Sequence, residues 1–174
     1  MATTYEAIAT VTVGSGGAAD ITLSSIPQSY TDLKLVASMR CTATFGNNFY
    51  DTYITVNGTN LSFRDLLGQG SGTPSSRNGA TDFPTLGVTS SGATASTFGN
   101  IEIYFPNYNS TTTYKSVSMD SVSETNATQA AAQLSAGLYS SNTAISSITI
   151  TPYNSPTGSL AQYSTFSLYG IKNS

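Results

Sequence analysis

The sequence predicts an all-β fold: a single antiparallel β-sandwich, jelly-roll-like, of about eight to ten strands over residues 1–174. Three observations predict it. Apolar residues recur at every second position in many short segments and almost never at helical three-four spacing. Clusters of Gly, Pro and Asn separate those segments at roughly even intervals. Ionisable residues are scarce: Asp, Glu, Lys and Arg make up 9% of the chain, against roughly 25% in an average globular protein. Ser and Thr supply close to a third of the residues, so the exterior must be hydroxyls and amides, which cost less entropy to order than Lys or Glu.

Taken in order, "YEAIATVTV" sets Tyr5, Ala7, Ala9, Val11 and Val13 on one face, "GSGGA" turns the chain, and "DITLSSI" returns with Ile21 and Leu23, which predicts a hairpin. In "IPQSYTD", Pro27 fixes its own φ and holds Ile26 extended, a turn. The strand that follows carries Leu33, Leu35, Ala37, Met39 and Cys41 inward, and its length marks it as central. Cys41, the single cysteine, fits there as a small buried hydrophobe. "YDTYITVNG" resumes the alternation through Ile54 and Val56 and ends in the tight turn Asn57-Gly58. "LSFRDLLG" fits one helical turn or an irregular strand, and Gly68–Phe83 is dense enough in Gly, Ser and Pro to predict a long loop. Beyond it come strands through Ile101, Ile103 and Phe105; through Val117 and Met119; through Ile148 and Ile150; and a closing "YSTFSLYGI". The Ala-rich "QAAAQLSAGLYS" reads as a further strand, with Ala132, Leu134, Ala136 and Leu138 on its apolar, inward side.

Chemistry is thinly represented. The chain has no histidine, which removes Ser-His and Cys-His nucleophiles and His-bearing metal sites. Lys34 and Lys115 lie outside any Ser-x-x-Lys motif and read as outward strand residues. Asp120, Glu124 and Glu102 are the carboxylates nearest to a glycosidase pair, which needs two of them about 5–9.5 Å apart, and they read as solvated strand-face acids. No catalytic residue, cofactor or metal site is expected. Six scattered cations and a net charge of −3 argue against nucleic acid, whose binding needs clustered Lys and Arg. The start lacks the basic and apolar regions of a secretory signal, and no apolar run nears the ~18 residues of a bilayer span. Synthesis in a cytoplasm, with no membrane partner, is expected.

The aromatic residues are the better binding candidates. Asn47, Asn48, Phe49 and Tyr50 form a candidate contact loop for sugar or protein, with rings that cap the sandwich as the alternative. Edge strands in soluble monomers are usually guarded by charge or Pro, and this chain has three lysines. Its edges and at least one sheet face are therefore expected to be covered by other subunits. The last strand agrees, because Phe166 and Leu168 fill one face while Tyr163, Tyr169 and Ile171 occupy the other.

The succession "IPQSYTDLKLVASMR", "YDTYITVNG", "SFRDLLGQGSG" and "YSTFSLYGIKN" resembles a group of small β-sandwich virion proteins of tailed bacteriophages. The resemblance implies a structural, non-enzymatic role in the virion of a phage assembled in its host's cytoplasm. The first expectation is a capsid decoration protein, a homotrimer or other oligomer that cements major capsid protein subunits. A tail-fibre or receptor-binding accessory recognising host glycans is the second, and a lectin-like domain unrelated to virions is the third. The shared positions are core and turn residues, so the resemblance assigns no functional residue.

Overall fold

The structure is a computed structural model that describes residues 4–44, 49–70, 72–79, 83–126, 129–153 and 158–172. Among them thirteen strands occur and no helix: β1 (Tyr5–Thr12), β2 (Ile21–Leu23), β3 (Asp32–Arg40), β4 (Phe49–Val56), β5 (Thr59–Asn60), β6 (Ser62–Gln69), β7 (Ser75–Gly79), β8 (Phe83–Thr89), β9 (Gly99–Phe105), β10 (Lys115–Glu124), β11 (Ala130–Tyr139), β12 (Ile148–Pro152) and β13 (Thr165–Ile171).

Four antiparallel pairs nest inside one another: β4 with β8, β3 with β9, β2 with β12 and β1 with β13. That is one long hairpin. Rolling it up adds β13 beside β3 and β12 beside β4, which yields the two four-stranded sheets β1-β13-β3-β9 and β2-β12-β4-β8 of a jelly roll. A short parallel contact of β3 with β8, at Met39–Val88 and Arg40–Thr89, joins the sheets at one corner. Four more strands continue the first sheet past β9, in the order β10-β11-β6-β7, and are called the extension below. The sandwich is as expected; the thirteen strands exceed the expected eight to ten because β5 and β7 are short polar pieces without an apolar alternation, and because β6, whose sequence fits a helical turn or an irregular strand, and β8 are strands as well.

The core lies between the two jelly-roll sheets. Leu33, Leu35 and Met39 of β3, Ile101, Ile103 and Phe105 of β9, and Phe166 and Leu168 of β13 share one buried cluster with Ile54 and Val56 of β4 and Ile148 and Ile150 of β12. Burial of each such side chain contributes about 1.5–3 kcal/mol. Cys41 is fully buried among them, and burial pushes its thiol pKa up. Central β3 has hydrogen-bonded neighbours on both sides, as its length predicts.

Two local expectations are overturned. The segments at 5–13 and 20–26 do not form a hairpin, because β1 pairs with β13 and β2 with β12, in different sheets. The register of β1 also skips between Ala7 and Ala9, a bulge that exchanges the faces: Ala9 and Val11 pack on the core, whereas Tyr5 and Ala7 are exposed. The Asn57-Gly58 turn is as predicted. Its residues have φ of 50° and 70°, the left-handed pair that a two-residue hairpin requires, and it joins Val56 to Thr59.

Candidate functional site

The extension reverses the jelly-roll pattern. Along β10 the buried positions begin as Lys115, Val117 and Met119 but continue as Ser121 and Ser123. On β11 they include Gln133 and Ser135, and on β6 Asp65. These groups form a hydrogen-bonded network. The Asp65 carboxylate, whose side chain is fully buried, accepts from Arg77 Nε and Nη2 at 3.1 and 2.9 Å, from the Arg77 amide at 2.9 Å and from Gln133 Nε2 at 3.0 Å. Gln133 also donates to Ser135 Oγ at 2.8 Å. Arg77 then reaches across to Asp51 Oδ2 of β4 at 3.5 Å, tying the extension to the opposite sheet. Burial pushes the Asp51 carboxyl pKa up, and the Arg77 charge partly offsets this. Beside the network, the apolar contribution is a small cluster of Phe49, Leu67 and Ala131.

Because side chains alternate across a strand, a polar inner face sends the apolar residues outward. Leu66 is 61% exposed, Leu134 60%, Val122 47% and Leu138 36%. They are contiguous: Leu66 stands opposite Leu134, Val122 opposite Ala132, and Ala136 opposite Arg64. Two open depressions on this face share Arg64, Asn78 and Ala136. The result is an apolar stripe on the outside of β6, β10 and β11.

The charges around the stripe are distinctive. Elsewhere the cations are consumed by the fold: Lys34 pairs with Glu102, Lys172 with Glu6, and Arg77 with Asp51 and Asp65. Arg40 donates to the carbonyls of Ala93, Thr94 and Thr97. Lys115 donates to those of Ser141 and Thr143 at 3.2 and 2.7 Å. Arg64 differs. Its guanidinium donates to the carbonyl of neighbouring Phe63, and it enters no ion pair among the described residues. Asp120, across the stripe on β10 and directly opposite Leu134, is likewise in no ion pair among the described residues.

The residues singled out in the sequence are placed as follows. Asn47 and Asn48 lie outside the described residues. Phe49 and Tyr50 open β4 rather than a loop, and the Phe49 ring is 4% exposed, closed to a ligand. Asp120 and Glu102 are cross-strand neighbours on an open sheet face, where Lys34 pairs with Glu102; Glu124 stands further along β10 and accepts from the Asn126 amide. Lys34 is half-buried on the outer side of β3, whereas Lys115 points inward and is 1% exposed, contrary to expectation, since two loop carbonyls receive its ammonium. The Gly68–Phe83 stretch contains β7, paired with β6 and clamped by Asp65 and Arg77. "LSFRDLLG" is strand.

The apolar positions of β11 face outward instead of inward. On β13 the second face is filled by the fold itself at Ile171, which is 7% exposed, while Tyr163 sits before the strand with φ of 72°. The outward apolar surface is therefore concentrated on the extension, not on the last strand. Its signal in the sequence was Leu134 and Leu138 alternating with Gln133 and Ser135, a pattern compatible with either face. Among the described residues, no group of three or more His, Cys, Asp or Glu side chains is arranged to hold a metal ion. Comparison of the chain with protein-family models, with curated proteins and with solved structures finds no match.

Proposed function

We propose that the chain is a non-enzymatic assembly subunit of a phage virion, with capsid decoration as its specific role. The observation that carries this reading is the apolar stripe of Leu66, Leu134, Val122 and Leu138 on the outside of an otherwise hydroxyl-rich sheet. Singly exposed apolar residues are ordinary, but a contiguous strip rimmed by polar groups marks a binding surface. The inner face beneath it is occupied by Asp65, Gln133 and Ser135, bonded to one another and to Arg77, so turning Leu134 inward would carry Gln133 and Ser135 outward, take a donor from the buried Asp65 carboxylate and set a leucine against that charge. Coverage must come from another molecule. A surface of Ser and Thr immobilises little side-chain entropy on contact, which suits a permanent structural contact. The test is to mix the purified chain with shells assembled from major capsid protein and count bound copies. Many copies per shell, with raised resistance to heat or denaturant, are expected; no binding and no gain in resistance sinks the decoration role.

A second reading, a tail-fibre or receptor-binding accessory, is favoured by the exposed tyrosines. Tyr5, Tyr114, Tyr153 and Tyr163 are 49%, 62%, 37% and 67% exposed, and Tyr153 meets Tyr53 edge-to-face at 5.5 Å. Such rings can stack on sugars. Saturable binding on a glycan array supports this reading, or a lectin-like domain, over decoration.

A further inference from the structure

We infer that the outer stripe of β6, β10 and β11 is the docking face for a second copy of this chain, about a two-fold axis running along β11. This rests on the reading of the chain as an assembly subunit and names the neighbour that covers the stripe. Three observations carry it. The stripe is apolar along its centre, where Leu134 and Leu66 stand side by side. The charges of this face that enter no ion pair among the described residues lie on opposite flanks, Arg64 on β6 and Asp120 and Glu124 on β10, and of the two carboxylates Asp120 stands level with Leu134 and Leu66. The face is also of the size required: at about 3.4 Å per residue and 4.8 Å per strand, β7, β6, β11, β10 and β9 together present roughly 650 Å², at the lower end of the roughly 600–1,000 Å² that each partner buries in a standard stable interface.

The charges select a copy of the same chain rather than an unrelated apolar partner. An isologous contact brings each patch against itself, so a self-docking face must carry both members of any cross-contact pair. A two-fold axis along β11 keeps the level along the strands and exchanges left for right, laying the partner's β10 over β6. Asp120 pairs in register with Leu134, and Leu134 with Leu66, so the partner's Asp120 arrives beside Leu66. Arg64 is two residues further along β6, roughly 7 Å away, within the reach of a guanidinium. The symmetric contact therefore forms two Arg64–Asp120 pairs that enclose four leucines. An axis across the strands instead sets β10 on β10 and leaves Arg64 facing glycine Gly68 of the partner, with no carboxylate.

The test is sedimentation equilibrium of the full chain from micromolar to near-millimolar concentration. A dimer is expected. Leu134→Asp or Leu66→Asn should leave a monomer whose melting temperature matches that of the dilute wild type, so that loss of association is not loss of folding. Arg64→Asp alone and Asp120→Arg alone should each weaken dimerisation by about tenfold or more, and the double variant should restore it. A monomer at every concentration, an oligomer indifferent to Leu134, or a double variant no better than either single one overturns the inference. Shell binding separates this from the assembly reading. A wild-type monomer whose shell binding is lost in Leu134→Asp would assign the stripe to the shell and end the self-docking inference, leaving decoration intact. A stripe-dependent dimer that ignores shells would support self-docking and end decoration.

Discussion

Strands β13 and β11 are written in nearly the same alphabet and bury opposite halves of it. In "TFSLYGI" the large residues Phe166 and Leu168 go inward, and Ser167 between them is half-exposed. In "AAAQLSAGLY" the polar residues Gln133 and Ser135 go inward, and Leu134 between them is 60% exposed. The difference lies in what the inner face of each meets. β13 shares an apolar cluster with Ile54, Ile148 and Ile150 of the opposite sheet, whereas the inner side of β11 meets the Asp65 carboxylate of the adjoining strand, itself held by Arg77 and linked through it to Asp51 across the sandwich. Alternation makes a strand two-faced; the neighbours of each face choose which one is buried. Where they offer charge, the leucines are left for a partner.

The contrast predicts a graded response to mutation. Phe166→Ala should cost the most, about 3–5 kcal/mol by urea unfolding, because it opens a cavity in a core that is closed on all sides. Asp65→Ala should cost about 3 kcal/mol, since it strands Gln133 and Arg77; the loss stays at the low end because Arg77 keeps Asp51 and has a side chain 33% exposed. If Asp65→Ala proves neutral, the polar network does not hold the extension in place, and the argument for outward leucines weakens with it. Asn57→Ala should cost about 1–3 kcal/mol. Its Oδ1 accepts from the amides of Ser146 and Ser147 and its Nδ2 donates to the Ala144 carbonyl, at 2.8–3.0 Å, and its φ of 50° suits Asn better than Ala.

An alkaline titration sharpens the comparison from the jelly-roll side. Tyr104 donates to Asp32 Oδ2 at 2.7 Å, and that bond, followed by burial, pushes its pKa from 10.0 up to about 12. The folded state therefore holds this proton when the unfolded state has lost it. Stability from the group is complete below pH 10 and disappears as pH rises toward about 12. Burial raises Tyr30 and Tyr108 in the same direction, while burial lowers Lys115, which opposes them by favouring the fold as pH approaches 10.5. Tyr104→Phe should flatten the alkaline fall in melting temperature, and an unchanged profile would remove Tyr104 from the account. The smallest effect is expected at Leu134→Ser in dilute solution, within about 0.5 kcal/mol, because nothing in the isolated chain covers that side chain. A loss as large as that of Phe166→Ala would mean that the stripe is buried within the chain.

Much of the jelly roll was legible. The inward sets on β3, β9 and β13, the buried Cys41 and the Asn57-Gly58 turn follow from period-two alternation and from the few residues that tolerate positive φ. The stripe was visible only as a set of apolar positions with the wrong side assigned to it. The burial of Lys115 was hidden because its partners are the carbonyls of Ser141 and Thr143, which every residue possesses.

The amino-acid sequence by itself determined that this chain is built of strands, where the main turns lie and, outside the bulge of β1, which residues within a strand share a face, because these depend on neighbours one and two positions away. Only the tertiary structure decided which strands pair, since β1 meets β13 and β6 meets β11 across long stretches of chain, and which face of each is inside. That choice is made by what the inner face meets in its own sheet and about 10 Å away in the other layer, and for β11 it was the Asp65–Arg77 pair of the adjoining strands, tied to Asp51 across the sandwich, that turned the leucines toward the outside.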